Sequence, residues 1–217
     1  ANLLYRQEDP SAMRGFLAGR SADVVVLSEF TPGWREKLAD FGEMYPYTVL
    51  RPRRNAWGIA VLSKYPLGPV EDLNLGDDQS SHVRVIVRLP SGQVELYAVH
   101  LASPAGPRQA AQRNTQLREL AKIIAAADPG MPRIVAGDFN LTPWSPHFGD
   151  LLRDARLTDP RRPFGLHYTW PAWPMPLLWI PIDHCLVSGP LAVTRVAAGS
   201  PDGSDHLPLE CDFAPTS

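Results

Sequence analysis

The chain has 217 residues, a formal net charge of −2 and 44% hydrophobic side chains. That length suits one α/β unit over residues 1–217, and the composition is that of a well-cored globule rather than a disordered chain. The lack of net positive charge argues against a protein that coats nucleic acid non-specifically, although a bound divalent cation would add local positive charge that a residue count omits.

In chain order, Ala1-Asn2-Leu3-Leu4-Tyr5 reads as the end of a strand, so the expectation is a domain excised from a longer chain. Asp9-Pro10 has the form of a helix start, with Met13, Phe16 and Leu17 on one face of the helix that follows. Val24–Leu27 is a continuous apolar run, as expected of a strand covered on both faces. Trp34, Leu38 and Phe41 have helical spacing and predict a second helix. Ala56–Leu62 predicts a strand. His82–Leu89 and the run from Val94 to His100 alternate around Pro90-Ser91-Gly92, the pattern of an antiparallel hairpin. Pro107–Asp128 is the longest helix, burying Leu117, Leu120, Ala121 and Ile124. Ile134–Ala136, Ile182–Val187 and Leu207–Phe213 complete the strands. Cys185 and Cys211 lie in these last two, where they read as small buried hydrophobes; two cysteines cannot build a disulfide framework. Hairpins mixed with helical crossovers imply two sheets packed face to face with helices outside. No run of about twenty apolar residues and no signal peptide are visible.

The chemistry-bearing residues stand where the strands stop. Glu29, His100, Asp138 with Asn140, Asp183 with His184, and Asp205 with His206 are each read as following an apolar run, and Asn2 follows the first. Strand ends from distant segments can converge on one cleft. Oxygen donors from Asn, Glu and Asp suit a hard cation, and phosphoryl transfer needs positive charge and an activated water. An acid after a strand is more often a loop cap, and Gly137-Asp138-Phe139-Asn140 alone could be an ordinary turn. The argument rests on the joint order of these groups.

Val26-Leu27-Ser28-Glu29, Val99-His100-Leu101, Gly137-Asp138-Phe139-Asn140, Ile182-Asp183-His184 and Gly203-Ser204-Asp205-His206-Leu207-Pro208 occur in the order typical of the endonuclease/exonuclease/phosphatase superfamily. The chain resembles that family, which includes DNase I, apurinic-site endonucleases, neutral sphingomyelinases and inositol-polyphosphate phosphatases, over nearly its whole length. The resemblance implies a four-layer α/β sandwich, two packed mixed β-sheets flanked by helices, and hydrolysis of phosphoesters with Mg²⁺, or alternatively Mn²⁺ or Ca²⁺. Residue by residue, it implies Glu29 as principal metal ligand, with Asn2 and Asp205 as further metal residues. His206 corresponds to the catalytic histidine, as general base or as a donor to the phosphate, with Asp183 holding it. Asp138 and Asn140 would orient the attacking water and the phosphoryl oxygens, with Asp138 a rival general base. His100 corresponds to a position that touches the scissile phosphate. His184 is assigned a structural role, because strand alternation turns it away from Asp183.

Two departures stand out. Ser28 replaces the glutamine usual before the metal glutamate, and there is no room for the added helices and loops with which DNA-repair members grip a duplex. The motifs around Asn2, His100 and Asn140 look most like a bacterial branch in which the domain follows N-terminal membrane helices, so a membrane-anchored setting is one expectation.

Three tryptophans fall within Thr169–Trp179, directly before Ile182-Asp183-His184. Trp170 and Trp173 are candidate substrate contacts, able to stack on bases or dip into lipid headgroups; a proline-stiffened lid is the plainer reading. Arg54, with Arg51 and Arg53, is a candidate phosphate contact, while Arg108 and Arg113 read as surface charges. Serine-hydrolase, phosphate-loop and zinc motifs are absent from the sequence. Three functions remain: a phosphodiesterase acting on DNA, the same chemistry on a phospholipid or small phosphoester at a membrane, and a non-catalytic binding domain of the same fold.

Overall fold

The computed structural model describes residues 1–7, 9–19, 22–76, 79–161, 163–172, 178–189, 191–200 and 203–215. Its first helix, α1 (Ser11–Gly19), starts where the Asp9 carboxylate accepts the Ser11 N–H at 2.9 Å, and it buries Met13 and Leu17. Strand β1 (Val24–Ser28) follows, then α2 (Pro32–Lys37), whose N-terminus is capped by Thr31 Oγ1 accepting from Trp34 N at 3.2 Å. The single helix expected around Trp34, Leu38 and Phe41 is divided. Leu38 ends α2 at φ −108°, and a 3₁₀ turn, Ala39–Gly42, carries Phe41 back into the same apolar cluster. The remaining elements are β2 (Tyr47–Arg51), β3 (Ile59–Ser63), β4 (Leu67–Asp72), β5 (Val83–Leu89), β6 (Gly92–His100), α3 (Pro107–Ala126), β7 (Arg133–Asp138), α4 (Pro146–Asp154), β8 (Asp183–Ser188), β9 (Leu191–Ala198) and β10 (Leu209–Pro215).

One sheet has the order β1-β3-β2 and is antiparallel, with Asn2 adding a parallel bridge to Ser28. A second has the order β4-β5-β6-β7-β8, mixed because β6 and β7 run parallel. A β9–β10 hairpin stands beside them, with β10 touching β8. Val49, Ile59 and Val61 from the first sheet meet Val83, Val85, Val87, Leu96 and Ala98 from the second, which makes the inner layer apolar from both sides. Met13, Leu17, Trp34 and Phe41 cover the outer face of the first sheet, and Leu117, Leu120, Ile124, Phe148 and Leu151 cover that of the second. The result is the four-layer α/β sandwich: helices, sheet, sheet, helices.

Among the strand boundaries that differ from the sequence reading, two have identifiable reasons. The strand expected over Ala56–Leu62 begins only at Ile59, because residues 57 and 58 turn their backbone elsewhere: Phe30 N donates to Gly58 O and Ser81 N to Trp57 O. A Cβ on Gly58 would stand 1.9 Å from Phe30 O, so only glycine allows this approach. Asp183 does not follow a strand but opens β8. Since β8 is antiparallel to β7, Asp183 pairs directly with Asp138, the last residue of β7, and the two carboxylates share one sheet edge.

Candidate active site

Glu29 leaves β1 in a left-handed conformation, φ 61°, which bulky residues rarely adopt. Its carboxylate is held on both sides, with Oε2 accepting from Tyr5 N at 2.7 Å and Oε1 from Asn2 Nδ2 at 3.3 Å. Asn2 is itself buried, and its Oδ1 accepts from Leu4 N, so its amide is aimed by a local turn. The same Nδ2 lies 3.4 Å from Asp138 Oδ2, joining the first sheet to the second.

Asp138 Oδ2 is the point on which the site converges. Besides Asn2, His100 Nε2 approaches it at 3.6 Å and His206 Nε2 at 3.8 Å. Its other oxygen, Oδ1, accepts from Asn140 N at 2.8 Å. His206 Nδ1 donates to Asp183 Oδ2 at 2.8 Å. Asp183 is in turn fixed by Thr169, whose buried Oγ1 accepts from the backbone N–H groups of Ile182 and Asp183, and Leu207 N donates to Thr169 O. Thr169 therefore ties the Asp183 and His206 segments together. The sequence offered no signal for this beyond a threonine near a motif.

The charges are mutually consistent. Burial, and then the charge of Asp183, push the Asp138 carboxyl up to about 7. Burial alone would depress His206, but the facing carboxylates of Asp183 and Asp138 outweigh it and push the imidazole up to about 10. Burial works to raise Asp183, yet the adjacent His206 charge carries it below the usual carboxylate range. Burial lowers His100, with Glu29 acting in the opposite sense. The His100 ring rests against Trp57 with centroids 5.2 Å apart, a neighbour the sequence did not suggest.

Among the described residues, ligand atoms of Asp138, Asp183 and His206 lie within 4.8 Å of one another. This is the tightest grouping, but its His206–Asp183 contact is already a hydrogen bond. The side where the carboxylates of Glu29 and Asp138 are joined through Asn2 Nδ2 suits a hard divalent cation better. The donor set fits the metal implied by the resemblance.

Asp205 stands at the edge of the site, half-buried, with Oδ2 accepting from Trp170 Nε1 at 3.3 Å and its carbonyl accepting from Ala172 N at 2.7 Å. Trp170 thus reaches the site by holding Asp205. Trp173 lies outside the described residues. Arg54 is exposed in the connection between β2 and β3, and no hydrogen bond or ion pair ties it to the described site residues. His184 points to the opposite side of β8 from Asp183, where Phe139 and Phe148 pack on it. Its Nε2 donates to Leu141 O and its Nδ1 accepts from Arg161 Nη2, both at 2.6 Å. Arg113, expected as a surface charge, is half-buried and donates through Nη1 to Asn140 O at 2.7 Å.

A four-layer sandwich with carboxylates, an amide and imidazoles gathered where strand ends of the two sheets meet defines a metal-dependent phosphoesterase. The chain belongs to the Endonuclease/Exonuclease/phosphatase family, whose model matches residues 1–206. Solved structures share the fold. An endonuclease/exonuclease/phosphatase from Beutenbergia cavernae is 22% identical, with a TM-score of 0.71, covering 96% of this chain and 67% of its own. A humanized D. rerio TDP2 is 19% identical with a TM-score of 0.80, covering 99% and 96% respectively. Sphingomyelinase C from Streptomyces griseocarneus is 20% identical with a TM-score of 0.68, covering 96% and 92%. Among curated proteins, none matches the sequence.

Proposed function

We propose that this enzyme is a Mg²⁺-dependent phosphodiesterase with DNA as its leading substrate. The observation that carries the reading is the meeting of Asn2, His100 and His206 on the single oxygen Asp138 Oδ2, beside Glu29. Glu29 and Asp205 would hold the cation, with Asn2 orienting the Glu29 carboxylate through Nδ2; the cation when bound polarises a phosphoryl oxygen and lowers the pKa of water. Asp138 orients and deprotonates the attacking water, because its Oδ2 faces the site while Oδ1 is spent on Asn140 N. His206, with Nδ1 committed to Asp183, presents Nε2–H to a phosphoryl oxygen. His100 and the Asn140 amide supply further hydrogen bonds that orient the phosphate. Water attack on phosphorus forms the new P–O bond as the P–O bond to the leaving alkoxide breaks.

DNA is favoured by the breadth of the family and by the solved D. rerio TDP2 that carries a single-strand DNA product, 20% identical with a TM-score of 0.79. A second reading keeps the chemistry and takes a phospholipid at a membrane surface. The exposed side chains of Trp144, Leu166 and Leu178 favour it, since exposed apolar groups can enter a headgroup layer. Bis(p-nitrophenyl) phosphate, plasmid DNA and phospholipid vesicles, each with Mg²⁺ and with EDTA, separate the readings. Metal-dependent plasmid cleavage without lipid turnover is the expected result; lipid turnover alone would replace the substrate, and turnover of none under several divalent ions would leave a binding domain.

A further inference from the structure

Asn140 sits in a conformation that needs external support. Its φ is 48°, in the left-handed region, which asparagine tolerates better than most residues but does not choose unaided. Its backbone N–H goes to Asp138 Oδ1, and its Nδ2 donates to Leu101 O at 2.9 Å. Its own carbonyl and the next are each held by a side chain from another element. Arg113, on α3, donates to Asn140 O, and His184, on β8, donates to Leu141 O.

The guanidinium of Arg113 is prepared for this one contact. Asn114 Oδ1 accepts from its Nε at 3.3 Å and from its Nη2 at 3.1 Å, which turns Nη1 toward the loop. Asn114 is itself bonded through Nδ2 to His147 Nε2 on α4 at 2.9 Å. No carboxylate among the described residues pairs with Arg113, and burial lowers its pKa, so it is held in spite of a desolvation cost. Among the described residues, the contact this half-buried arginine makes beyond its own helix is to a backbone carbonyl, so it is placed for geometry rather than for surface charge.

We propose that Arg113 is a positioning residue of the phosphoester reaction, acting through Asn140 by clamping its carbonyl so that the side-chain amide keeps its bearing on the phosphate. This rests on the reading of Asn140 given above. The clamp runs from α3 through Arg113 to the loop after β7, so the second sheet's covering helix sets the geometry of the reacting centre. Misplacement of such a group by about 1 Å can cost on the order of a hundredfold in rate.

The test is a double-mutant cycle on bis(p-nitrophenyl) phosphate with Mg²⁺, using Arg113→Met, Asn140→Ala and the pair, with Arg118→Met as the control. Arg118 lies exposed on the same helix. Arg113→Met should lower kcat by roughly tenfold to a hundredfold with KM within about threefold, and should add less than about twofold in the Asn140→Ala background. Arg113→Lys, which keeps a cationic donor, should recover part of the loss. Wild-type kcat in Arg113→Met, or losses that simply multiply with Asn140→Ala, overturns the proposal. If Arg113→Met does not fold, Arg113→Gln replaces it under the same criteria. Hydrogen–deuterium exchange across residues 138–142 reads the clamp without turnover. Faster exchange in Arg113→Met than in Arg118→Met is expected, and equal exchange refutes the clamp. If the wild type hydrolyses nothing, the functional reading falls while this exchange result still decides the role of Arg113.

Discussion

His206 Nδ1 donates to the Asp183 carboxylate at 2.8 Å, across 23 residues of chain. The contact decides which ring nitrogen faces the site: with Nδ1 committed, Nε2 is the atom that looks toward Asp138. The pair exists because Asp183 opens β8 next to the end of β7, while Thr169 binds both the Asp183 backbone and the segment after His206.

Removing the imidazole should therefore remove the proton donor and leave the fold. His206→Ala is expected to lower kcat by about a hundredfold or more, with an unchanged circular dichroism spectrum. Asp183→Asn should cost roughly tenfold to a hundredfold, because it weakens the orienting bond and removes a charge that keeps His206 protonated. Near-wild-type turnover in His206→Ala would remove that residue from the mechanism.

The Glu29 carboxylate is oriented before any ion arrives, by Tyr5 N and Asn2 Nδ2. A divalent cation that binds the folded chain alone should raise the melting temperature by mass action. Millimolar Mg²⁺ or Mn²⁺ is expected to raise it by several degrees in the wild type and by much less in Glu29→Gln, with EDTA reversing the rise. An equal rise in both proteins, read by differential scanning calorimetry, would place the ion elsewhere.

How much of this could be read in advance follows from what each residue does. Glu29, Asp138, Asp183 and His206 are legible because their chemistry is local to short motifs whose order along the chain is informative. The hairpin of β5 and β6 is legible because alternation and the turn at Pro90-Ser91 agree, and Leu89 pairs with Gly92 as that turn requires. Strands β2, β4 and β9 are not legible: β2 buries only Val49, β4 is largely exposed and β9 partly so, and none carries a strong apolar alternation. The roles of Thr169, Arg113 and Arg161 are hidden from the sequence for a different reason. Each acts through a hydrogen bond to a backbone or ring atom far away in sequence, and such a partner exists only once the sheets have packed.

Gly137 shows a motif residue with a purely steric reason. It adopts φ 143° opposite Val99 in the parallel β6–β7 pair, and a Cβ there would lie 1.8 Å from Val99 O. Gly137→Ala must separate the two strands that carry His100 and Asp138. The expected loss is on the order of 3–5 kcal/mol, the range of severe backbone and overpacking changes, seen as a lower urea midpoint. A midpoint within experimental error of the wild type would mean that the strands can part at little cost.

His184 predicts an acid limit to stability that does not involve the reacting groups. Burial, and then the neighbouring Arg161 charge, depress its pKa to about 3. Its two bonds fix it as the neutral ring with the proton on Nε2, donating to Leu141 O and accepting from Arg161 Nη2. In the unfolded chain the ring titrates near 6.5. Between these values the unfolded state binds the extra proton, so stability is full above about pH 6.5 and falls as pH drops toward about 3. At pH 4 the loss attributable to this residue is on the order of 3 kcal/mol. His184→Gln cannot be protonated, so its melting temperature, lower at pH 8 for lost packing, should fall less steeply between pH 7 and pH 4 than that of the wild type. Parallel pH profiles for the two proteins would show that the acid sensitivity arises at other groups.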